Sequence, residues 1–169
     1  MMNTTFRMID IMRALLLLTC GIMSFALPAN ATIGVTAIGS WSLPITANDL
    51  LGLGGCGLPT MYESTNNQVA LTVCGTSGNS ESWRIDIHRS DSIWDNRLTF
   101  SVKRTGGGLG SGSIVSGTTY QPIEATNTAF FFGTGDRANI TLQFQLGGMS
   151  VLVPANTYGT EISYTVVDL

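Results

Sequence analysis

Residues 33–45 read IGVTAIGSWSLPI, and this stretch decides the predicted fold class. Its odd-numbered positions are almost all apolar, whereas the even positions are small or polar, with Ile38 as the exception. An alternation with a period of two is typical of a β-strand that buries one face. The tract is also longer than the five or six residues of an average strand. We therefore predict an unusually long extended segment here.

The same alternation recurs along the rest of the chain, with turn residues between the alternating segments. No amphipathic helix is apparent after residue 31, so the pattern is that of an all-β sandwich. We predict one domain over residues 47–169, preceded by an N-terminal extension over residues 32–46. The clearest alternating segments are Val69–Val73, Trp83–Ile87, Leu98–Val102, Ile140–Leu146 and Tyr158–Val166.

Two segments depart from simple alternation. Gly106 to Gly112, the glycine-rich loop, holds five glycines and is predicted to be a flexible hairpin connection. It lacks the lysine and the strand-to-helix setting of a phosphate-binding loop. Phe130, Phe131 and Phe132 cannot all face one side of a strand. At least one ring needs cover outside the main core, and a neighbouring subunit could provide it.

Residues 1–31 have the pattern of a secretory signal. Arg7 and Arg13 supply positive charge, residues 14–27 are apolar, and residues 29–31 (Ala-Asn-Ala) match a small-x-small cleavage site. We place cleavage after Ala31 and predict a secreted protein. The alternatives are an uncleaved membrane anchor and a lipoprotein modified at Cys20. The apolar run is short for a membrane span, which usually needs about 20 residues.

Composition restricts the partners and the redox chemistry. The chain has 8 Lys and Arg against 11 Asp and Glu, for a net charge of −3, and no basic patch, so we predict no nucleic-acid partner. Cys56 and Cys74 remain after export, and in an oxidising compartment they are expected to form one disulfide. The alternative is a two-thiol metal site, for which no further ligand lies nearby in sequence.

No catalytic constellation is recognisable, and we predict that the protein is not an enzyme. The single histidine, His88, follows Asp86 on the polar face of a predicted strand, and no Gly-x-Ser-x-Gly motif is present. Asp86, Asp91, Asp95 and Asp136 lack the spacing of a diagnostic carboxylate pair. We predict no cofactor and no metal, with a structural calcium between Asp91 and Asp95 as the alternative.

Trp94 lies in a polar stretch between two predicted strands. An exposed indole there could stack on a sugar ring, or it could cover one end of the sandwich. Trp94 is therefore a candidate ligand contact. It motivates an alternative function, an extracellular carbohydrate- or protein-binding β-sandwich module.

Three features together resemble bacterial pilins of the chaperone–usher type, and most closely their spore-coat-U-like branch. The first is the alternating tract directly after the signal. The second is a single early cysteine pair, Cys56 and Cys74. The third is the segment VPANTYGTEISYTV at residues 153–166, which is similar to the turn and final strand of those subunits.

The resemblance implies a secreted structural subunit of a surface fibre or pilus, with a role in cell adhesion. Such subunits have an immunoglobulin-like β-sandwich that lacks one strand, which the N-terminal extension of the next subunit supplies. The implied partners are other copies or related subunits, a periplasmic chaperone and an outer-membrane usher. The implied location is the periplasm and then the cell surface. The candidate donor-strand residues are Ile33, Val35, Ala37, Trp41, Leu43 and Ile45.

An ordinary strand would explain the same tract. Residues 32–46 could form the first one or two strands of a complete sandwich, broken at Gly39-Ser40. Sequence alone leaves both arrangements open.

Overall fold

The computed structural model describes residues 32–51 and 57–169 and shows an all-β sandwich. In these two ranges the chain forms ten strands and a single 3-10 turn, Ala47–Asp49. The predicted all-β sandwich is therefore confirmed, whereas the predicted signal over residues 1–31 lies outside the described residues. The strands are β1 (Gly34–Ile38), β2 (Met61–Glu63), β3 (Val69–Cys74), β4 (Ser82–Ile93), β5 (Thr99–Arg104), β6 (Ile114–Val115), β7 (Gln121–Pro122), β8 (Thr128–Thr134), β9 (Arg137–Gly147) and β10 (Gly159–Asp168).

The strands form two antiparallel sheets. The first has the order β1-β3-β9-β5-β7, and β2 pairs with the end of β9. The second has the order β10-β4-β8-β6. β1 and β10 are thus edge strands of different sheets, and some of their Cα atoms lie within 8 Å of each other. Both edges are therefore on the same side of the sandwich, which we call the open side.

The core lies between the two sheets and is built from alternate residues of each long strand. Burying each large apolar side chain contributes about 1.5 to 3 kcal/mol. The largest of them, Trp83, also donates its indole N–H to the carbonyl of Gly135 at 2.8 Å, so its one polar group is satisfied. The largest fully buried side chains are Trp83, Phe131, Leu71, Ile85, Ile87, Ile140, Leu142, Val73 and Val102.

A β-bulge explains how two of three consecutive phenylalanines enter this core. The ladder between β4 and β8 changes register between Ile85 and Asp86, which leaves Phe130 as the extra residue. Phe130 and Phe131 are both buried and meet edge to face, with ring centroids 4.9 Å apart. Phe132 is 37% exposed. The prediction that one ring lies outside the main core is confirmed.

The glycine-rich loop is not the predicted hairpin, because it crosses from β5 in the first sheet to β6 in the second. The guanidinium of Arg137 donates to the carbonyls of Gly107, at 2.9 Å, and Gly112. Leu109 and Ala138 form an isolated bridge with N···O distances of 2.7 and 2.8 Å. The Arg137 side chain and the backbone bridge to Ala138 therefore hold the glycine-rich loop against the start of β9.

Candidate functional site

The N-terminal extension lies along the open side and pairs within its own chain. β1 forms an antiparallel ladder with β3, in which Val35 is opposite Val73. The ladder covers residues 34–38, whereas the apolar alternation in the sequence extends to residue 45. In this chain the tract is thus an ordinary edge strand that ends before Gly39. Its donation to a neighbour stays a prediction.

The backbone geometry at Gly39 ends β1. Its φ of 131° lies in a region that residues with a side chain rarely adopt. A Cβ atom there would lie 2.3 Å from the carbonyl oxygen of Gln68, which is far too close. The amide of Gln68 also donates to the carbonyl of Ser40. The chain is therefore fixed close to β3 and turned at one point directly after the strand.

The candidate donor residues fall into different environments. Ile33 belongs to the core, and Val35 and Trp41 pack against it. The remaining residues are more peripheral, because Ala37 is exposed and both Leu43 and Ile45 are half-buried. The tract therefore already contributes to its own core through part of its apolar series.

Trp41 is the aromatic residue of the tract, and its ring packs against the core. Its indole stacks on Phe100 with centroids 5.9 Å apart and an interplanar angle of 17°. Phe100 in turn stacks on the buried Phe144 at 5.2 Å, and Trp94 meets Phe100 edge-on at 6.2 Å. Aromatic pairs in such geometries contribute about 0.5 to 1.5 kcal/mol beyond burial of their area. Trp41 is therefore anchored at the rim of the core.

The second component of the open side is the outer edge of β10. One side of this strand pairs with β4, and no other strand in the described ranges pairs with it. The amide of Leu169, just after β10, donates to the carbonyl of Ser82 at 3.1 Å. The N–H and C=O of one residue point to the same side of an antiparallel strand, and the side alternates along the chain. Ile162, Tyr164 and Val166 therefore direct both groups towards the open side.

The inner face of β10 is incompletely covered. Ile162, Tyr164 and Val166 pack against the core but stay half-buried, whereas Ile85 and Ile87 on the adjacent β4 are fully buried. The Tyr164 hydroxyl is buried without a hydrogen-bond partner among the residues that the structure describes. Burial raises the pKa of this phenol. The open side thus offers unpaired backbone groups beside half-covered apolar side chains.

The predicted disulfide does not appear among the described residues, which include Cys74 but not Cys56. Cys74, at the end of β3, is an exposed free thiol. Cys56 lies outside the described residues, so its pairing with Cys74 stays a prediction.

The contacts of Trp94 favour a packing role. Its indole N–H donates to the carbonyl of Leu98 at 3.2 Å. The guanidinium of Arg89 lies 4.9 Å from the centroid of the indole ring, over one face. Together with the edge contact to Phe100, these interactions engage one face and the N–H of a half-buried ring. Trp94 covers an end of the sandwich, which was the other interpretation of this residue.

Three of the four candidate acids, Asp86, Asp91 and Asp95, are paired with arginines two residues away, whereas Asp136 accepts hydrogen bonds from the amide and the hydroxyl of Thr76. The Arg97 guanidinium holds the pKa of Asp95 at about 2, below its usual 3.8. In the described part of the chain, no group of three or more His, Cys, Asp or Glu side chains is placed to hold a metal ion. The pairs and their shortest N···O distances are Arg84–Asp86 (2.6 Å), Arg89–Asp91 (2.5 Å) and Arg97–Asp95 (2.6 Å).

Comparison with known proteins gives no match, either to a protein-family model, to a curated protein or to a solved structure. Across residues 32–51 and 57–169, no helix has the length and apolar character to cross a membrane. The functional assignment therefore depends on the geometry of the open side. The sequence did not predict that β10 has an unpaired edge on this side. Alternation in a sequence shows which face of a strand is buried, but it does not show whether a neighbouring strand is present.

Proposed function

We propose that this chain is an exported structural subunit that assembles with further copies by exchanging its N-terminal strand. The observation that carries the proposal is the position of β1. Among the described strands it pairs with β3 alone, and it lies beside the unpaired edge of β10. In the assembled form, an immunoglobulin-like sandwich would be completed by the tract of a neighbouring copy.

Release of β1 is a small rearrangement. Three of its five residues are exposed, and the apolar side chains that leave the core with the tract are those of Ile33, Val35 and Trp41. Burial of Ile33 and Val35 contributes about 3 kcal/mol. Once β1 leaves, β3 and β10 flank an empty groove that the same tract of another copy can fill. Because the interactions within and between copies are equivalent, protein concentration and subunit geometry decide which form dominates.

The groove and the tract fit the requirements of strand addition. An added strand gains main-chain hydrogen bonds and places alternate side chains in the groove. The edge of β3 offers the backbone groups that pair with β1 in the closed form, and Ile162, Tyr164 and Val166 of β10 offer half-covered apolar side chains beside it. Residues 33–45 continue the apolar alternation beyond the part that β1 uses. In head-to-tail donation each copy binds the next one. A ring forms only when the rotation between successive copies adds up to a full turn, and the proposal is the open case, which produces a fibre.

Export fits the remaining parts of the proposal. We propose that residues 1–31 direct secretion, that Cys56 and Cys74 pair in an oxidising compartment, and that the assembled fibre stands at the cell surface. A periplasmic chaperone and an outer-membrane usher would protect and order the exposed edges in a bacterial host.

A disulfide lock tests the exchange directly. Thr36 is opposite Thr72 in the ladder between β1 and β3. Facing residues in antiparallel strands have Cα atoms about 4.5 to 5.5 Å apart, which suits a disulfide. A chain with both Thr36→Cys and Thr72→Cys should stay monomeric when oxidised and assemble like wild type when reduced. Size-exclusion chromatography and electron microscopy of the secreted protein provide the measurement, and Thr36→Cys alone is the control.

A mixing experiment then identifies the partner. Chains that carry only Thr36→Cys are mixed with chains that carry only Thr72→Cys, in a background of Cys56→Ser and Cys74→Ser. Strand exchange should link the two chains covalently. The control replaces Thr72→Cys by Ser77→Cys, which is exposed and outside the ladder. A wild-type protein that stays monomeric, with no more linkage than in the control, would show that the proposal is wrong.

We propose no second function. A carbohydrate-binding module would use an accessible indole, and the contacts of the half-buried Trp94 with Arg89, Leu98 and Phe100 favour packing instead.

A further inference from the structure

We infer that Trp41 is a latch that keeps the N-terminal tract on its own chain and sets the rate at which the tract is released. This inference rests on the strand exchange proposed above. It assigns to one side chain the control of when a subunit becomes competent to assemble.

The tract has few other contacts close to Trp41. Residues 36–40 are exposed, and Ile38 is 77% exposed. Trp41 is then the next residue that packs against the core, through its stack on Phe100. β1 cannot leave β3 over its full length while this ring stays in place. Unstacking of Trp41 is therefore a required step of release.

The stack is also separate from the ladder. Phe100 lies in β5, which is two strands away from β3, so its contact with Trp41 is made by side chains alone. Removing the Trp41 ring would leave the hydrogen bonds between β1 and β3 in place. The tract is thus held by the ladder, by the hydrogen bond from the Gln68 side chain to the Ser40 carbonyl, and separately by the ring stack.

The latch has a distinctive kinetic signature. In the exchanged form, the Trp41 ring of one copy would occupy the same site on Phe100 of the next. Removing the ring weakens the closed and the exchanged forms equally, so the extent of exchange should change little. The barrier to release falls by the full energy of the stack, so the rate should rise. A residue with a merely structural role would not separate rate from extent in this way.

The experiment follows disulfide formation over time in the mixture of Thr36→Cys and Thr72→Cys chains. With Trp41→Ala in both chains, we expect cross-linking at least tenfold faster, which corresponds to about 1.4 kcal/mol. The final yield should stay within twofold. Trp41→Leu, which keeps apolar bulk without a ring, provides a second variant with an intermediate rate if Trp41→Ala folds poorly.

Two controls separate release from general instability. Ile38→Ala alters an exposed residue of the same tract and should leave the rate unchanged. Phe131→Leu weakens the core at β8, which lies in the other sheet from β3 and β5, and should lower the denaturation midpoint without accelerating exchange. The latch is refuted if wild-type chains cross-link but Trp41→Ala is no faster than Ile38→Ala, or if Phe131→Leu accelerates exchange equally. If wild-type chains do not cross-link at all, the proposed exchange fails and the latch fails with it.

Discussion

Replacing Arg137 by methionine tests what holds the glycine-rich loop in place. The Arg137 side chain donates to three loop carbonyls, those of Gly107, Gly110 and Gly112. Methionine keeps the apolar stem and removes every donor. The perturbation therefore targets the hydrogen bonds and leaves most of the packing unchanged.

The expected loss of stability follows from these bonds. A hydrogen bond to a charged donor contributes about 1.5 to 3 kcal/mol. The bonds to Gly107 and Gly112 are partly buried, and each should contribute an energy at the lower end of this range. The 3.4 Å bond to Gly110 should contribute little. Burial and then the charge of Arg137 lower the pKa of Arg104, so removing Arg137 relieves some repulsion. The net destabilisation should be about 2 kcal/mol.

Urea unfolding and hydrogen exchange measure this effect. With a denaturant slope of about 2 kcal/mol per molar, the urea midpoint should fall by about 1 M. Amide exchange over residues 106–112 should accelerate more than exchange in β3. Lys103→Met is the matched control, because the Lys103 ammonium lies over the Tyr120 ring and not against a loop carbonyl, so its loss should shift the midpoint only slightly. An unchanged midpoint with unchanged loop protection would refute the idea that Arg137 organises the loop.

Two further predictions concern the core and the acid response. Gly133→Ala should lower the free energy of unfolding by about 1 to 3 kcal/mol, because the added Cβ would lie 2.4 Å from two carbons of the buried Trp83 ring. Gly34→Ala, with nothing within 4 Å of the added atom, is the control in the same urea assay. The pKa of Asp95 is about 2 in the folded chain, below its usual 3.8, so its stabilising effect is complete above about pH 4 and is lost as the pH falls towards 2. The denaturation midpoint of Asp95→Asn should therefore lie below that of wild type at pH 6 and converge with it as the pH falls below 2, and a constant difference would contradict the assignment.

Alternation was sufficient to predict the strands that border the core. Val69 to Val73 and Ile140 to Leu146 fall within β3 and β9, and the alternate side chains from Val69 to Val73 and from Ile140 to Phe144 are buried, whereas Leu146 is half-buried. The pattern is informative there because each of these strands has one face against the opposite sheet. The fold class therefore followed directly from the sequence.

Longer-range features were not encoded in local pattern. β4 continues through Ser90 and Asp91 to Ile93, beyond the apolar alternation, because its ladder with β10 extends past the core. The inward turn of Phe130 depends on a bulge that only the pairing with β4 creates. Both depend on which strand lies opposite, and that is a property of sheet order.

Only part of the candidate site was predicted, because the rest of it also depends on sheet order. The apolar tract was evident, and so was the chance of a break at Gly39. The stack of Trp41 on Phe100 could not be predicted, since the two residues are far apart in sequence and belong to different strands. The unpaired edge of β10 could not be predicted either, because an edge is defined by the strand that is missing.

The antiparallel register of β1 on β3 also has a mechanical consequence. Interstrand hydrogen bonds run perpendicular to the strand axes. Under the proposed exchange, tension along a fibre would pull the donated tract parallel to its own axis. The ladder from Gly34 to Ile38 would then be loaded in shear, so its bonds would have to break together and not one after another. Five residues of edge strand could in this way resist far more force than their modest burial suggests.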